Sequence, residues 1–130
     1  METLVLDPPA ARLAPVDIVR AVYAAYNRGE LDEGRRYLAP ELEWILPAST
    51  LHGEVLRGPD ELLRVLESEF EAFSRIRREP LELEERGERV VGVVVASMRG
   101  RLSGIELEQR VRLAFTVRDG LIVRAETLSN

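Results

Sequence analysis

Few side chains in this sequence could move a proton or orient a polar ligand. His52 is the one histidine, and an imidazole titrates near neutral pH, so it is a candidate general acid or base. Its setting before Gly53 in a turn-rich stretch equally suits a solvated loop histidine. Tyr26 falls one helical turn beyond Val22 on the same face, where its hydroxyl could reach into a cavity and handle a proton. The same spacing suits a core aromatic with its hydroxyl at the edge. Gln109, the one glutamine, interrupts an otherwise apolar strand face. It could orient a ligand carbonyl or hydroxyl, or be a buried amide satisfied by neighbouring backbone. Trp44 shares a face with Leu42 and Leu46 and reads as core or cavity wall. Glu43 and Glu126 lie on charged faces where Arg110, Arg112 and Arg124 can pair with them, as on an outer sheet surface.

The residue types that are missing exclude more. The chain has no cysteine, and its 18 basic residues are all arginine. Schiff-base chemistry and the lysine-dependent phosphate loop are therefore closed to it. So are thiol nucleophiles, disulfides and cysteine-rich zinc sites, and one histidine cannot build a multi-histidine metal centre. No metal and no cofactor are expected. With 23 acidic residues the net charge is −5, the wrong sign for a protein that must neutralise phosphates, so no nucleic-acid partner is expected. Met1 to Pro9 has no basic segment followed by an apolar run. The longest strongly apolar stretch, Val90 to Ala96, is far shorter than the roughly 20 residues of a membrane span. A cytoplasmic protein with no membrane partner is the expectation.

The elements that must position these residues follow from periodicity. A chain of 130 residues with 45% apolar content is long enough for one domain with its own core. Residues 1–14, rich in proline, read as an arm, and residues 15–130 as a single α+β domain. Ile18, Val19, Val22, Tyr23 and Tyr26 recur at helical spacing, with Pro15 in the first turn and Gly29 as the left-handed stop. Leu31 to Ala39 reads as a second short helix ended by Pro40, with Tyr37 and Leu38 inward. Glu41 to Leu46 alternates as a half-buried strand, and Ala48 to Gly58 reads as loop or short hairpin. A third helix opens at Pro59, with Leu62, Leu63, Leu66, Phe70 and Phe73 as its apolar stripe and a solvated acidic back. Strands are predicted over Leu81 to Arg86, Arg89 to Arg101, Glu106 to Arg118 and Leu121 to Leu128, the last two joined by an Asp119–Gly120 turn. Helices first and antiparallel strands last predict a curved sheet wrapping the helices around a cavity.

The run from Ala24 to Asp32 resembles the "AYNxGDxD" end of the first helix in the SnoaL-like group of the nuclear transport factor 2-like superfamily. Trp44 with Pro47, Arg57 to Leu62 ("RGPDEL") and Arg118 to Arg124 ("RDGLIVR") follow in the family's order. The resemblance spans roughly Pro15 to Leu128 and implies a cone-shaped α+β barrel with a pocket between sheet and helices. It also implies a homodimer through the sheet's outer face. Related ketosteroid isomerases use a tyrosine and an aspartate where this chain has Val22 and Leu46, and a further acidic group on the strand face that here carries Leu107, Gln109 and Val111. Limonene-type epoxide hydrolases carry an aspartate where this chain has Thr127, and an arginine that Arg99 could imitate. Cyclases of the group use an Asp/His arrangement for which His52 is the one histidine.

These readings converge on a protein binding a small, largely apolar ligand through Val22, Tyr26, Trp44, Leu46, Gln109 and Leu113. The hollow is expected to lack a proton-handling carboxylate. Two alternatives stand beside this reading: a small cyclase-, isomerase- or hydrolase-like enzyme in which His52 or Tyr26 transfers the proton, and a dimerisation module that holds a partner on its sheet.

Overall fold

Helix α1 (Pro15–Asn27) begins where Pro15 supplies a preset backbone angle, and it borrows its first acceptor from a distant strand: the Val16 N–H donates to Glu85 Oε2 at 3.1 Å. It stops at Gly29, whose φ of 75° lets Gly29 and Glu30 donate back to the Tyr26 and Ala25 carbonyls. The computed structural model describes residues 13–46 and 55–128. The expected N-terminal arm, apart from Leu13 and Ala14, and His52 lie outside the described residues.

Helix α2 (Leu31–Arg35) is shorter than the sequence suggested, and strand β1 (Leu38–Ile45) starts earlier. Leu38 and Ala39 are not helical because the Ile122 N–H donates to the Tyr37 carbonyl at 2.8 Å and Leu38 pairs with Ile122. Sheet pairing overrides the local helical pattern here. Pro40, expected to end a helix, sits inside β1 where the register against the neighbouring strand shifts, so its missing N–H costs no ladder bond. Strand β2 (Val55–Arg57) pairs antiparallel with β1, and helix α3 (Gly58–Ala72) follows directly.

Strand β3 (Phe73–Arg86) takes over at Phe73, which was expected on α3, and runs eight residues further toward the N-terminus than the predicted Leu81 start. Arg101 caps this junction. Its Nε donates to the Glu71 carbonyl at 2.9 Å, and its Nη2 to the Phe70 and Phe73 carbonyls at 3.0 and 3.1 Å. Strands β4 (Arg89–Gly100), β5 (Glu106–Arg118) and β6 (Leu121–Leu128) complete the sheet, close to the predicted spans. Asp119 and Gly120, at φ 53° and 77°, make the tight β5–β6 turn.

The sheet order is β2-β1-β6-β5-β4-β3, antiparallel except for β1 beside β6. It is curved and does not close on itself. Helices α1 and α3 pack on it. Phe115, Ile18, Leu42 and Ile122 are among the fully buried core residues, with Tyr23 and Trp44 meeting the Phe115 ring edge-on at 6.1 and 5.8 Å. Gly92 lies opposite a bulge in β3, and the room its missing side chain leaves is filled by Leu83, whose Cδ2 would stand 2.5 Å from an added Cβ.

Candidate functional site

Between α1, α3 and the sheet lies a cavity of about 300 Å³. Its position follows from amphipathic patterning: the inward faces of α1 and β5 meet the apolar stripe of α3 without filling the space between them. Val22, Tyr26, Trp44, Leu46, Gln109 and Leu113, singled out in the sequence, all lie on its wall. Thr127 does too, while Arg99 is instead near Glu106 at 3.7 Å, half exposed. The positions equated with the isomerase tyrosine and aspartate, Val22 and Leu46, are aliphatic parts of this wall. Gln109 is exposed, so it is not an amide sealed in the core.

One end of the cavity departs from the sequence reading. Glu69, which belongs to the acidic residues assigned to the solvated back of α3, lies on the cavity wall together with Arg78 of β3. Glu69 Oε1 accepts from Arg78 Nη1 at 2.7 Å, and Oε2 from Nη2 at 3.2 Å. The Tyr26 hydroxyl donates to Glu69 Oε1 at 3.0 Å and accepts a close hydrogen bond from Arg78 Nη1. A carboxylate, a guanidinium and a phenol thus form one closed network, with the ion-paired side chains only 24% and 23% exposed. Spacing could have revealed Glu69: it stands seven residues after Leu62 and three after Leu66, on the helical face that carries the apolar stripe. Arg78 shares the alternation of Ile76 and Pro80 along β3, a strand start that the sequence reading did not recognise.

The network is braced on both sides. Phe70 packs on the Tyr26 ring with centroids 5.2 Å apart, and the Arg78 guanidinium lies 5.2 Å from the same ring centre. Asn27 fixes the Arg78 main chain through two hydrogen bonds. Burial pushes the Tyr26 and Tyr23 hydroxyls well above the ordinary phenol range, against the opposing pull of Arg78. Both stay protonated at neutral pH, so Tyr26 is a hydrogen-bond donor and not a base. Burial works against the Arg78 cation, but Glu69 and the phenols more than offset it and raise its pKa. No group of three metal-binding side chains is gathered among the described residues, and no described helix is long and apolar enough to cross a membrane.

On the outer sheet face, Glu43 pairs with Arg57 at 2.6 Å and Arg124 at 3.2 Å, and Glu126 with Arg124 at 3.7 Å and Arg89 at 3.8 Å. Arg57 and Arg89 take the places expected for Arg110 and Arg112.

A family profile described as SnoaL-like domain matches residues 19–125. The uncharacterized proteins Rv0034 of Mycobacterium tuberculosis and Mb0035 of Mycobacterium bovis are each 33% identical over 113 residues, 85% of this chain and 85% of theirs. Among solved structures, an NTF2-like protein from Burkholderia thailandensis is 28% identical with a TM-score of 0.80, covering 91% of this chain and 92% of its own. IdmH of Streptomyces antibioticus, described as a candidate polyketide cyclase, is 25% identical with a TM-score of 0.79, at 91% and 93% coverage. TerC, crystallised with polyporic acid, shares the fold at 22% identity and a TM-score of 0.76, at 90% and 92% coverage.

Proposed function

The chain belongs to the SnoaL-like family, and on that premise we propose that it binds a small, largely apolar molecule in the cavity between α1, α3 and the sheet. One observation carries this reading: largely apolar walls bound about 300 Å³, with a hydrogen-bonded cluster of Tyr26, Glu69 and Arg78 at one end and Gln109 and Thr127 as further polar side chains. Space of that size with few convergent polar groups is what a ligand site needs and a filled core avoids. The likeness to IdmH, described as a candidate polyketide cyclase, supports an oxygen-bearing ligand of the polyketide class. The test is equilibrium binding of a panel of two- and three-ring aromatic ketones, quinones and phenols, followed by thermal shift. A ligand at a hundred times its Kd adds about 2.7 kcal/mol to stability. Val22→Trp, which fills the cavity, should abolish binding in a protein that still unfolds cooperatively. Binding that survives this change would place the ligand elsewhere.

A second reading, proton-transfer enzyme, is favoured by the hydrogen bond from the Tyr26 hydroxyl to a carboxylate at the cavity wall. In it Glu69, held in place by the Tyr26 hydroxyl, accepts a substrate proton and a spare Arg78 N–H donates to the oxygen that gains charge. Loss of turnover in both Tyr26→Phe and Glu69→Gln, on a substrate found through the binding panel, would support it. The cavity weighs against a chain that serves only as a dimerisation module. A homodimer through the outer sheet face remains part of the proposal, because Val91, Val93 and Val95 stay half-buried there beside exposed Leu81. So does a cytoplasmic location.

A further inference from the structure

Glu69 and Arg78 are the charged residues on the cavity wall among the described residues, and they are paired with each other. The cavity's polar end is therefore neutral overall but strongly polar. We infer that Glu69 determines ligand selectivity by charge: it keeps carboxylates out of the cavity and leaves Arg78 to receive an uncharged oxygen acceptor, a carbonyl above all. The inference rests on the cavity being the ligand site.

An unpaired arginine on an apolar wall would be a carboxylate receptor, since its fork of donors matches two carboxylate oxygens. Here the Nη1/Nη2 edge of the fork is taken by the two oxygens of Glu69, and the remaining Nε/Nη2 edge stands beside that carboxylate's charge. A ligand carboxylate would have to displace Glu69 or settle beside it, and like charges in a water-poor site repel strongly. A neutral oxygen meets neither obstacle. Arg78 keeps its Nε–H and one Nη2–H without an acceptor among the described residues. The Tyr26 hydroxyl is committed at both its donor and its acceptor side, so the spare donors of the cluster belong to Arg78. The Arg78 guanidinium is held where it stands by both Glu69 oxygens, by the Tyr26 hydroxyl and by the Tyr26 ring 5.2 Å away, on a main chain that Asn27 fixes at 2.8 Å on both N–H and carbonyl.

Three probes of one shape separate the possibilities: naphthalene, the ketone 2-acetonaphthone and the anion 2-naphthoate, measured at neutral pH on the full chain and on Glu69→Gln. The wild-type protein should bind 2-acetonaphthone at least tenfold more tightly than either of the others. In Glu69→Gln, which keeps the shape and frees the cation, 2-naphthoate should tighten at least tenfold while naphthalene is unchanged. The double variant Glu69→Gln/Arg78→Gln should lose that gain. Wild-type protein that binds 2-naphthoate as well as 2-acetonaphthone overturns the inference even if the variant does not fold. So does a folded Glu69→Gln with unaltered preference, and in both cases the cavity remains a ligand site. No binding of any probe to either protein removes the cavity as a ligand site, and this inference with it.

Discussion

Asn27 grips Arg78 by its main chain with both ends of one amide, Nδ2 donating to the Arg78 carbonyl and Oδ1 accepting from the Arg78 N–H, each at 2.8 Å. Strand β3 lies at the sheet edge, so α1 supplies here what a neighbouring strand would otherwise provide. At about 1 kcal/mol per bond, Asn27→Ala should destabilise the protein by roughly 2 kcal/mol in urea unfolding. Asn27→Asp should not restore it, because a carboxylate cannot donate to the Arg78 carbonyl.

Arg101→Ala removes three donations to carbonyls at the end of α3. The exposed setting limits the loss to about 1 kcal/mol. Arg101→Lys should recover only part of it, since an ammonium cannot reach three carbonyls with the geometry of a planar fork. Chemical denaturation of the three proteins side by side reads the order directly.

Gly92→Ala tests how tightly the β3 bulge is seated. The added Cβ would stand 2.5 Å from Leu83 Cδ2, 3.0 Å from the Leu81 carbonyl oxygen and 3.2 Å from Leu83 Cα. Two of these neighbours are backbone and cannot yield cheaply. A loss of about 1–3 kcal/mol is expected, and an unchanged unfolding midpoint would show that the bulge can move.

Strict alternation bounded by turns made β5 and β6 legible in the sequence: both match the expected spans, and Asp119–Gly120 turns as its residue types demand. The errors fell where tertiary pairing competes with local pattern. Leu38 and Ala39 look helical until Ile122 recruits the chain into the sheet. Phe73 fits the stripe of α3 by spacing but follows the last helical residue. The N-terminal half of β3 was hidden because arginines and Pro80 do not look like strand, yet an edge strand tolerates both. The apolar cavity wall was readable because it is the inward face of predicted elements. Its polar end was not. Glu69 counted as one more acid on an acidic helix, and only the partnership with Arg78 and Tyr26 makes an inward carboxylate affordable.

The two raised phenols give stability a sign with pH. Tyr26 and Tyr23 hold their protons in the folded protein above the unfolded value of 10.0. Their contribution is complete below that pH and is lost as pH rises above it, because the unfolded chain then releases protons that the native state retains. The urea midpoint should fall with rising pH in this alkaline window, and Tyr26→Phe should make the fall shallower. A midpoint that rises there would contradict the burial of both hydroxyls.

Val93 lies between inward-facing Gly92 and Val94 on β4 and so points to the outer face of the sheet. If that face joins two copies, light scattering should report a dimer at micromolar concentration and a monomer for Val93→Glu, with binding to the cavity retained. A monomeric wild-type protein would remove the dimer from the proposal.

Helix α3 ends at Ala72 and strand β3 begins at Phe73 with no connecting residue, so the joint has no slack. One inserted residue in the last turn of α3 would rotate the preceding helix by about 100° relative to the strand, turning Glu69 away from its guanidinium. The acid–base pair in the hollow is thus geared to chain length as well as to side-chain identity. Substitution can retune this part of the hollow, but a length change at the joint needs a compensating one to keep the pair.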